Sequence, residues 1–116
     1  ALGLPHPRSY GAFPKIIAEY VRNTGLLSLP EAIKKMTGFP ASRMGLVDRG
    51  ILREDWVADI VIFDLETIQD TATWENPTRK PAGINYVIVN GQLVLDNGRH
   101  TGAKPGYVLR GAGYQE

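Results

Sequence analysis

Two histidines, His6 and His100, are the side chains in this 116-residue sequence best suited to binding a metal ion or activating water. They stand far apart, and no His-x-His or His-Glu-x-x-His pattern occurs. A zinc hydrolase needs about three protein ligands around an open fourth position. The Gly-x-Ser-x-Gly turn of many serine nucleophiles is missing too. The sequence therefore predicts neither a catalytic residue nor a metal site within this chain.

The segment around His6 is the most unusual short stretch. Pro5 and Pro7 favour an extended backbone, which would aim the side chains of His6 and Arg8. A rigidly held arginine can bind a carboxylate through two parallel N–H···O bonds. Spacing alone leaves open a plainer alternative, in which Arg8 is a surface residue that pairs with a nearby acid.

Other polar and aromatic residues indicate structural roles. Asp59 and Asp64 flank a predicted strand, where a catalytic carboxylate pair is possible but capping of turns through backbone N–H groups is favoured. Trp56 and Trp74 are interpreted as packing residues and not as a ligand platform. The glycines of segment 102–106 lack the spacing of a phosphate-binding loop, so this segment is predicted to be a turn.

Composition narrows the class of protein. With 43% hydrophobic and 22% charged residues, the chain is typical of a globular domain. Thirteen basic and twelve acidic side chains are scattered, so no basic face for nucleic acid is predicted. The absence of cysteine excludes disulfides and thiolate metal sites. No apolar stretch approaches the roughly 18 residues of a membrane span. The first residues do not look like a signal peptide, so a cytoplasmic location is expected.

Apolar residues before Leu46 repeat at helical spacing. The first predicted helix covers residues 14–23, because Pro14 suits an early helical position and Gly25 suits the end. Its apolar stripe has members at helical intervals. They are Phe13, Ile16, Ile17, Tyr20 and Val21.

A second helix is predicted to begin at Ser28. Ser28 and Glu31 have the spacing of a capping box, in which each side chain accepts a hydrogen bond from the other residue's backbone N–H. Gly38 is expected to end this helix. A short third helix is predicted over residues 40–44.

After Leu46 the pattern changes to short strands. Residues 58–64 contain a continuous apolar run, which predicts a strand buried on both faces. Residues 86–89 and 92–95 flank Asn90-Gly91, which predicts a hairpin with a type I′ turn. Asn97-Gly98 predicts a further turn. Residues 65–83 show no period and are interpreted as a long surface loop with at most one helical turn.

Several of these stretches together resemble the C-terminal part of N-acyl-D-amino-acid deacylases (D-aminoacylases) of the amidohydrolase superfamily. The most specific are His-Pro-Arg-Ser-Tyr-Gly-Ala-Phe-Pro at residues 6–14 and Thr-Gly-Ala-Lys-Pro-Gly at residues 101–106. The run at 58–64 and Val-Asn-Gly at 89–91 are shared more widely, including with dihydroorotase-like and hydantoinase-like enzymes. The likeness extends in order over nearly the whole chain.

The resemblance implies an α+β chain in two parts. Residues 1–45 would be a helical segment at the end of a metal-bearing (β/α)8 barrel. Residues 46–116 would be the C-terminal share of a small β-domain, a composite β-sandwich built from both chain ends. The family reaction is hydrolysis of an N-acyl-D-amino acid, in which a zinc-activated water attacks the amide carbonyl and an aspartate transfers the proton. The zinc ligands would lie upstream of this chain, so the chain alone is expected to be inactive.

The resemblance also suggests roles for individual residues. Arg8 is similar to the arginine that holds the substrate carboxylate in family members, and Tyr10 and His6 would line the same loop. Asp55 stands where superfamily members usually have glycine, so the turn before the strand is expected to be distorted. The expected partners are the N-acyl-D-amino acid and the N-terminal part of the enzyme.

Two other interpretations remain open from the sequence. The chain could be a non-catalytic association module that dimerises through exposed strand edges. It could also be a fragment of a dihydroorotase-like or hydantoinase-like cyclic amidohydrolase.

Overall fold

The computed structural model describes residues 3–111 and 113–115, which divide into two compact units. The first unit combines the chain up to Ala32 with Phe63–Ile84, and the second combines Ile33–Ile62 with the chain from Asn85 onward. No helix in the described ranges has both the length and the apolar character to cross a membrane. The elements are α1 (Arg8–Lys15), a π-helix (Ile16–Asn23), α2 (Leu29–Met36), α3 (Gly38–Arg43), β1 (Ile60–Phe63), β2 (Ile84–Val89), β3 (Gln92–Asp96) and β4 (Arg99–His100).

The first helical stretch begins earlier than predicted. It starts at Arg8 and ends at Asn23, with Pro14 buried inside it. Pro7 has helical angles, with φ −51° and ψ −33°, and its carbonyl accepts the N–H of Tyr10 at 3.0 Å. The extended backbone expected at this point is therefore wrong, because the fixed φ of proline also suits the first turn of a helix. The helix widens into the π form directly after the turn that contains Pro14.

The capping box at the start of α2 is confirmed. The N–H of Ser28 donates to Glu31 Oε2 at 3.1 Å, and the N–H of Glu31 donates to Ser28 Oγ at 3.4 Å. Gly38 does not extend α2 but begins α3, which ends at Arg43. The predicted third helix is therefore present and shifted by about one half-turn towards the N-terminus.

The long loop after β1 contributes to the core, which the sequence interpretation missed. Ile68 is 2% exposed and is buried in the first unit together with Ile17, Ala18 and Ala32. One helical turn precedes it, since the Ile68 N–H donates to the Asp64 carbonyl at 2.8 Å. Residues 65–83 therefore form a packed segment instead of a purely surface loop. A lone apolar residue without periodic neighbours gives no signal of burial.

The sheet has the strand order β1-β2-β3-β4. Strands β2 and β3 form the predicted antiparallel hairpin, with Val89 opposite Gln92. Asn90 and Gly91 both have positive φ, 48° and 76°, as a type I′ turn requires. Asn97-Gly98 makes the second predicted turn and leads into β4. The small sheet with accompanying helices agrees with the predicted α+β class.

Strand β1 is not buried on both faces as predicted. Val61 is 54% exposed and Ile62 is 47% exposed. The apolar run correctly indicated a strand, but the described residues supply no layer that covers both of its faces. The predicted division of the chain between residues 45 and 46 stays a prediction.

Candidate functional site

A cleft of about 430 Å³ in the first unit contains two of the three predicted substrate-binding residues. It lies between the start of the first helical stretch and segment 70–74 of the long loop. We refer to it as the Arg8 cleft. It is lined by His6, Pro7, Arg8, Ala12, Lys15, Ile16, Tyr20, Asp70, Ala72, Thr73 and Trp74.

Arg8 is the first residue of α1, and its guanidinium is available to a ligand. Within the described residues it has neither an ion pair nor a side-chain hydrogen bond. The plainer alternative, an arginine engaged by a nearby acid, is therefore not what this part of the chain shows. A free, planar guanidinium at the edge of a cleft is suited to two-pronged binding of a carboxylate.

His6 is held by the backbone that positions Arg8. Its Nδ1 accepts a hydrogen bond from the Arg8 N–H at 3.1 Å. Nδ1 is thus occupied as an acceptor, which leaves Nε2 as the ring nitrogen that can donate. Tyr10, the third predicted residue, is exposed and is not among the described residues that line the cleft. Its role stays a prediction.

Trp74 forms part of the opposite wall. Its ring meets the His6 ring edge-on, with centroids 4.6 Å apart and planes at 67°. Even so, Trp74 is 70% exposed. The interpretation as an ordinary packing residue therefore accounts for the contact with His6 and leaves most of the surface of Trp74 uncovered.

Segment 70–74, which we call the loop wall of the cleft, lies very close to α1. A Cβ on Gly11 would lie 1.8 Å from Asp70 Oδ1, so a larger residue here would require this carboxylate to move from its present position. Asp70 Oδ1 also accepts the Ala72 N–H at 2.9 Å, which fixes the turn into the wall. No sequence pattern predicted this close approach, because Gly11 lay outside the predicted helix of residues 14–23.

Arg22 forms hydrogen bonds with the residues that directly precede the loop wall. Its Nη1 donates to the carbonyl oxygens of Leu65, Glu66 and Ile68 at 3.0, 3.1 and 2.7 Å. Its Nη2 donates to Gln69 Oε1 at 2.9 Å. Arg22 of the π-helix thus binds residues 65–69, which lead directly into segment 70–74 of the loop wall. No local pattern pointed to this role, because the partners lie more than forty positions away in the sequence.

No zinc site fits the described residues. They contain no group of three or more histidine, cysteine, aspartate or glutamate side chains that could hold a metal ion. His100 has a local role, since its Nδ1 accepts the Gly102 N–H at 2.9 Å.

In the second unit, Arg49 forms a cluster that explains Asp59. Arg49 is 9% exposed; Nη1 pairs with Asp59, and Nη2 donates to Asn90 Oδ1 at 2.7 Å and Tyr107 Oη at 2.8 Å. Asp59 Oδ1 accepts the Asn90 N–H at 2.9 Å. Asp64 likewise accepts a backbone N–H, that of Glu66. The structural interpretation of both aspartates is confirmed.

Comparison with known proteins places the chain among amidohydrolases. The model of the Amidohydrolase family matches residues 4–95. D-aminoacylase from Alcaligenes xylosoxydans xylosoxydans is 48% identical over 105 residues, which are 90% of this chain and 22% of that protein. The chain thus spans about a fifth of the length of the curated relative it matches.

Two solved structures have the same local fold. A crystal structure of D-aminoacylase, described as defining a novel subset of amidohydrolases, has a TM-score of 0.82 and 44% identity, covering 85% of this chain and 21% of that one. N-acyl-D-glutamate deacylase from Bordetella bronchiseptica, complexed with zinc and a phosphonate inhibitor, has a TM-score of 0.76 and 41% identity, covering 83% and 21%. With the family match over residues 4–95, these similarities show that the chain belongs to the Amidohydrolase family.

Proposed function

We propose that this chain is the C-terminal part of a zinc-dependent deacylase that hydrolyses the amide bond of N-acyl-D-amino acids. Residues 1–45 would complete a (β/α)8 barrel, and residues 46–116 would form one share of a composite β-domain. The similarity to two deacylases, each about four times as long, supports this proposal. The observation that carries it is the Arg8 cleft, where a guanidinium with no partner among the described residues borders a space suited to a carboxylate ligand.

In this proposal the chain binds substrate and does not perform the chemical step. Arg8 would hold the α-carboxylate through two parallel hydrogen bonds, and His6 would support that grip through its bond to the Arg8 backbone. Holding the substrate at one end fixes the position of its amide group relative to the catalytic residues. Tyr10 is kept as a candidate contact on the same helix.

The zinc ligands would belong to the remainder of the enzyme. In such enzymes the metal activates water and polarises the carbonyl of the amide. Because the described residues offer no ligand set, we expect this chain to contribute only substrate contacts. A cytoplasmic location for the complete enzyme stays a prediction.

The remaining part of the enzyme is also the partner that we propose for the exposed strand β1. Val61 and Ile62 leave about half of their surface open, and apolar strand surface of this kind favours burial against another layer. This assignment is preferred to a free-standing association module because the relatives carry the matched segment within one longer chain.

The proposal predicts that Arg8 is needed for substrate binding in the complete enzyme. Replacing Arg8 by alanine removes a charged partner of the substrate carboxylate, which costs about 2 kcal/mol or more, or about 30-fold in kcat/KM. Arg8→Lys keeps the charge but loses the planar fork, so only part of the activity should return. Steady-state hydrolysis of N-acetyl-D-amino acids measures both effects.

The matched control is Arg43→Ala, an exposed arginine at the end of α3 that lies outside the cleft lining. Equal kcat/KM in Arg8→Ala and Arg43→Ala would contradict the proposal that Arg8 binds the substrate carboxylate. Turnover of dihydroorotate or a hydantoin by the parent enzyme, without turnover of N-acyl-D-amino acids, would instead support the cyclic amidohydrolase interpretation.

A further inference from the structure

We propose that Trp74 is the apolar contact surface for the side chain of the D-amino acid whose carboxylate Arg8 holds. This inference rests on the proposed function and adds a specificity-determining residue to it. Trp74 belongs to the loop wall of the Arg8 cleft, outside the segment that carried the predicted site residues.

The position of Trp74 relative to Arg8 is defined through His6. The Arg8 N–H donates to one atom of the His6 ring, and the Trp74 ring packs edge-on against the same imidazole. One side chain therefore separates the backbone of the carboxylate-binding residue from the indole. Arg8 and Trp74 also line the same cleft. The side chain of an amino acid branches from the carbon next to the carboxylate, so a substrate whose carboxylate binds Arg8 can present its side chain to Trp74 within this cleft.

The wall is built to hold Trp74 in place. The Asp70 carboxylate lies directly against Gly11, and its Oδ1 accepts a hydrogen bond from the Ala72 N–H. Arg22 donates hydrogen bonds to the residues just before Asp70. These contacts fix the loop on both sides of Asp70, yet the Trp74 residue is 70% exposed. A positioned aromatic face beside a cation matches a ligand that has one charged and one apolar end.

The two ends of the expected substrate fit these two features. The carboxylate pairs with Arg8, while a branched or aromatic D-side chain buries apolar surface against the indole. The energy of this contact grows with the apolar area removed from water. Trp74 should therefore favour bulky apolar side chains over the methyl group of alanine.

The test uses the complete enzyme and compares two substrates within each variant. We would measure kcat/KM for N-acetyl-D-leucine and N-acetyl-D-alanine in the parent, Trp74→Ala, Trp74→Phe and Trp56→Ala. The leucine-to-alanine ratio is independent of the amount of correctly folded enzyme, so partial misfolding of a variant does not obscure the result. Trp56 is a matched control because it stacks with Arg53 in the second unit and is not among the residues that line the cleft.

In Trp74→Ala we expect the leucine-to-alanine ratio to fall about tenfold or more, since removal of an apolar contact typically has this effect. Trp74→Phe should restore most of the ratio, and Trp56→Ala should leave it unchanged. An unchanged ratio in Trp74→Ala would overturn the inference while leaving the deacylase assignment intact.

A second substrate series distinguishes the amino-acid side chain from the acyl group. The acyl chain is lengthened on D-alanine while the side chain is kept constant. If the Trp74→Ala loss follows acyl length and not side-chain size, the assignment to the D-side chain is overturned. Failure of the parent enzyme to hydrolyse any N-acyl-D-amino acid would remove the proposed function itself, and this inference with it.

Discussion

Arg8 and Arg49 show how neighbours decide the role of an arginine. Arg49 is buried, and its guanidinium is engaged by Asp59, Asn90 and Tyr107. Three of its five guanidinium N–H groups therefore already bond within the described residues. Arg8 is exposed, and its guanidinium has no partner in the described residues. Binding a carboxylate there breaks no internal contact, which makes Arg8 the better candidate for substrate binding.

The charge of Arg49 is secured by the same neighbours. Burial alone would lower the pKa of Arg49, but the hydrogen bond and charge of Asp59, with those of Tyr107, outweigh it and raise the pKa above its ordinary value. A cation whose pKa rises on folding stabilises the folded state at every pH below its unfolded pKa. This contribution is therefore lost only in strongly alkaline solution.

Asp55 carries a backbone strain that glycine would relieve. Its φ is 64°, in the left-handed region, and its side chain makes no hydrogen bond with the described residues. The resemblance to the superfamily implied a glycine at this position. We expect Asp55→Gly to raise the stability of the complete enzyme by up to about 1 kcal/mol, because a Cβ is unfavourable at this φ. The shift in Tm measures it.

The control for Asp55→Gly is Asp48→Gly. Asp48 is also exposed, but its φ is not among the positive values. Glycine there only adds freedom to the unfolded chain, so a loss of about 0.5–1 kcal/mol is expected. A fall in Tm for Asp55→Gly as large as that for Asp48→Gly would show that the turn is not strained.

At the scale of elements, the contact between α1 and the loop wall depends on Gly11. Alanine would favour the helix by about 1 kcal/mol. Its Cβ would nevertheless overlap the half-buried carboxylate of Asp70, and overpacking of this kind costs about 1–3 kcal/mol. We therefore expect Gly11→Ala to lower Tm and to raise KM, because the displaced segment carries Trp74.

A second change identifies the clash as the cause. In Gly11→Ala combined with Asp70→Ala, the loss should be smaller than the sum of the two single losses. Gly111→Ala, where the added Cβ meets open space, should be neutral. Strict additivity of the two changes would argue against close packing at this contact.

The helices and strands differ in how well local pattern predicted them. The capping box at Ser28 and the turns at Asn90-Gly91 and Asn97-Gly98 were predicted correctly, because each depends on residues within a few positions. The first helix was predicted to begin at Pro14, because proline suits an early helical position, whereas α1 begins at Arg8, directly after Pro7. Proline fixes φ but leaves ψ free, so sequence alone did not distinguish a helical start from an extended one.

At the scale of the whole molecule, the isolated 116-residue chain is expected to be an incomplete enzyme. It should show no measurable turnover of N-acetyl-D-amino acids and no stoichiometric zinc, since its described residues contain no ligand set. The open surface of β1 should promote self-association. Activity assays, metal analysis and sedimentation of the purified chain measure these three properties, with the complete enzyme as the control.

Each of those measurements has a result that would contradict the expectation. Turnover by the isolated chain would show that the site is complete without the rest of the enzyme. One tightly bound zinc per chain would show a ligand set outside the expected location. A monomer that binds no apolar dye would show that β1 needs no partner.

The sequence by itself determined the α+β class, the caps and hairpin turns, and the likeness to D-aminoacylases that pointed to Arg8. These features reside in short stretches whose local conformation depends on neighbouring residues. The tertiary structure decided which distant residues meet: Ile68 in the core, Arg22 on a turn more than forty residues away, Arg49 with Tyr107, and Trp74 against His6. Such contacts depend on how the chain packs, and no local period specifies them. For this reason His6 and Arg8 were predicted from sequence, whereas the opposite wall of their cleft was not.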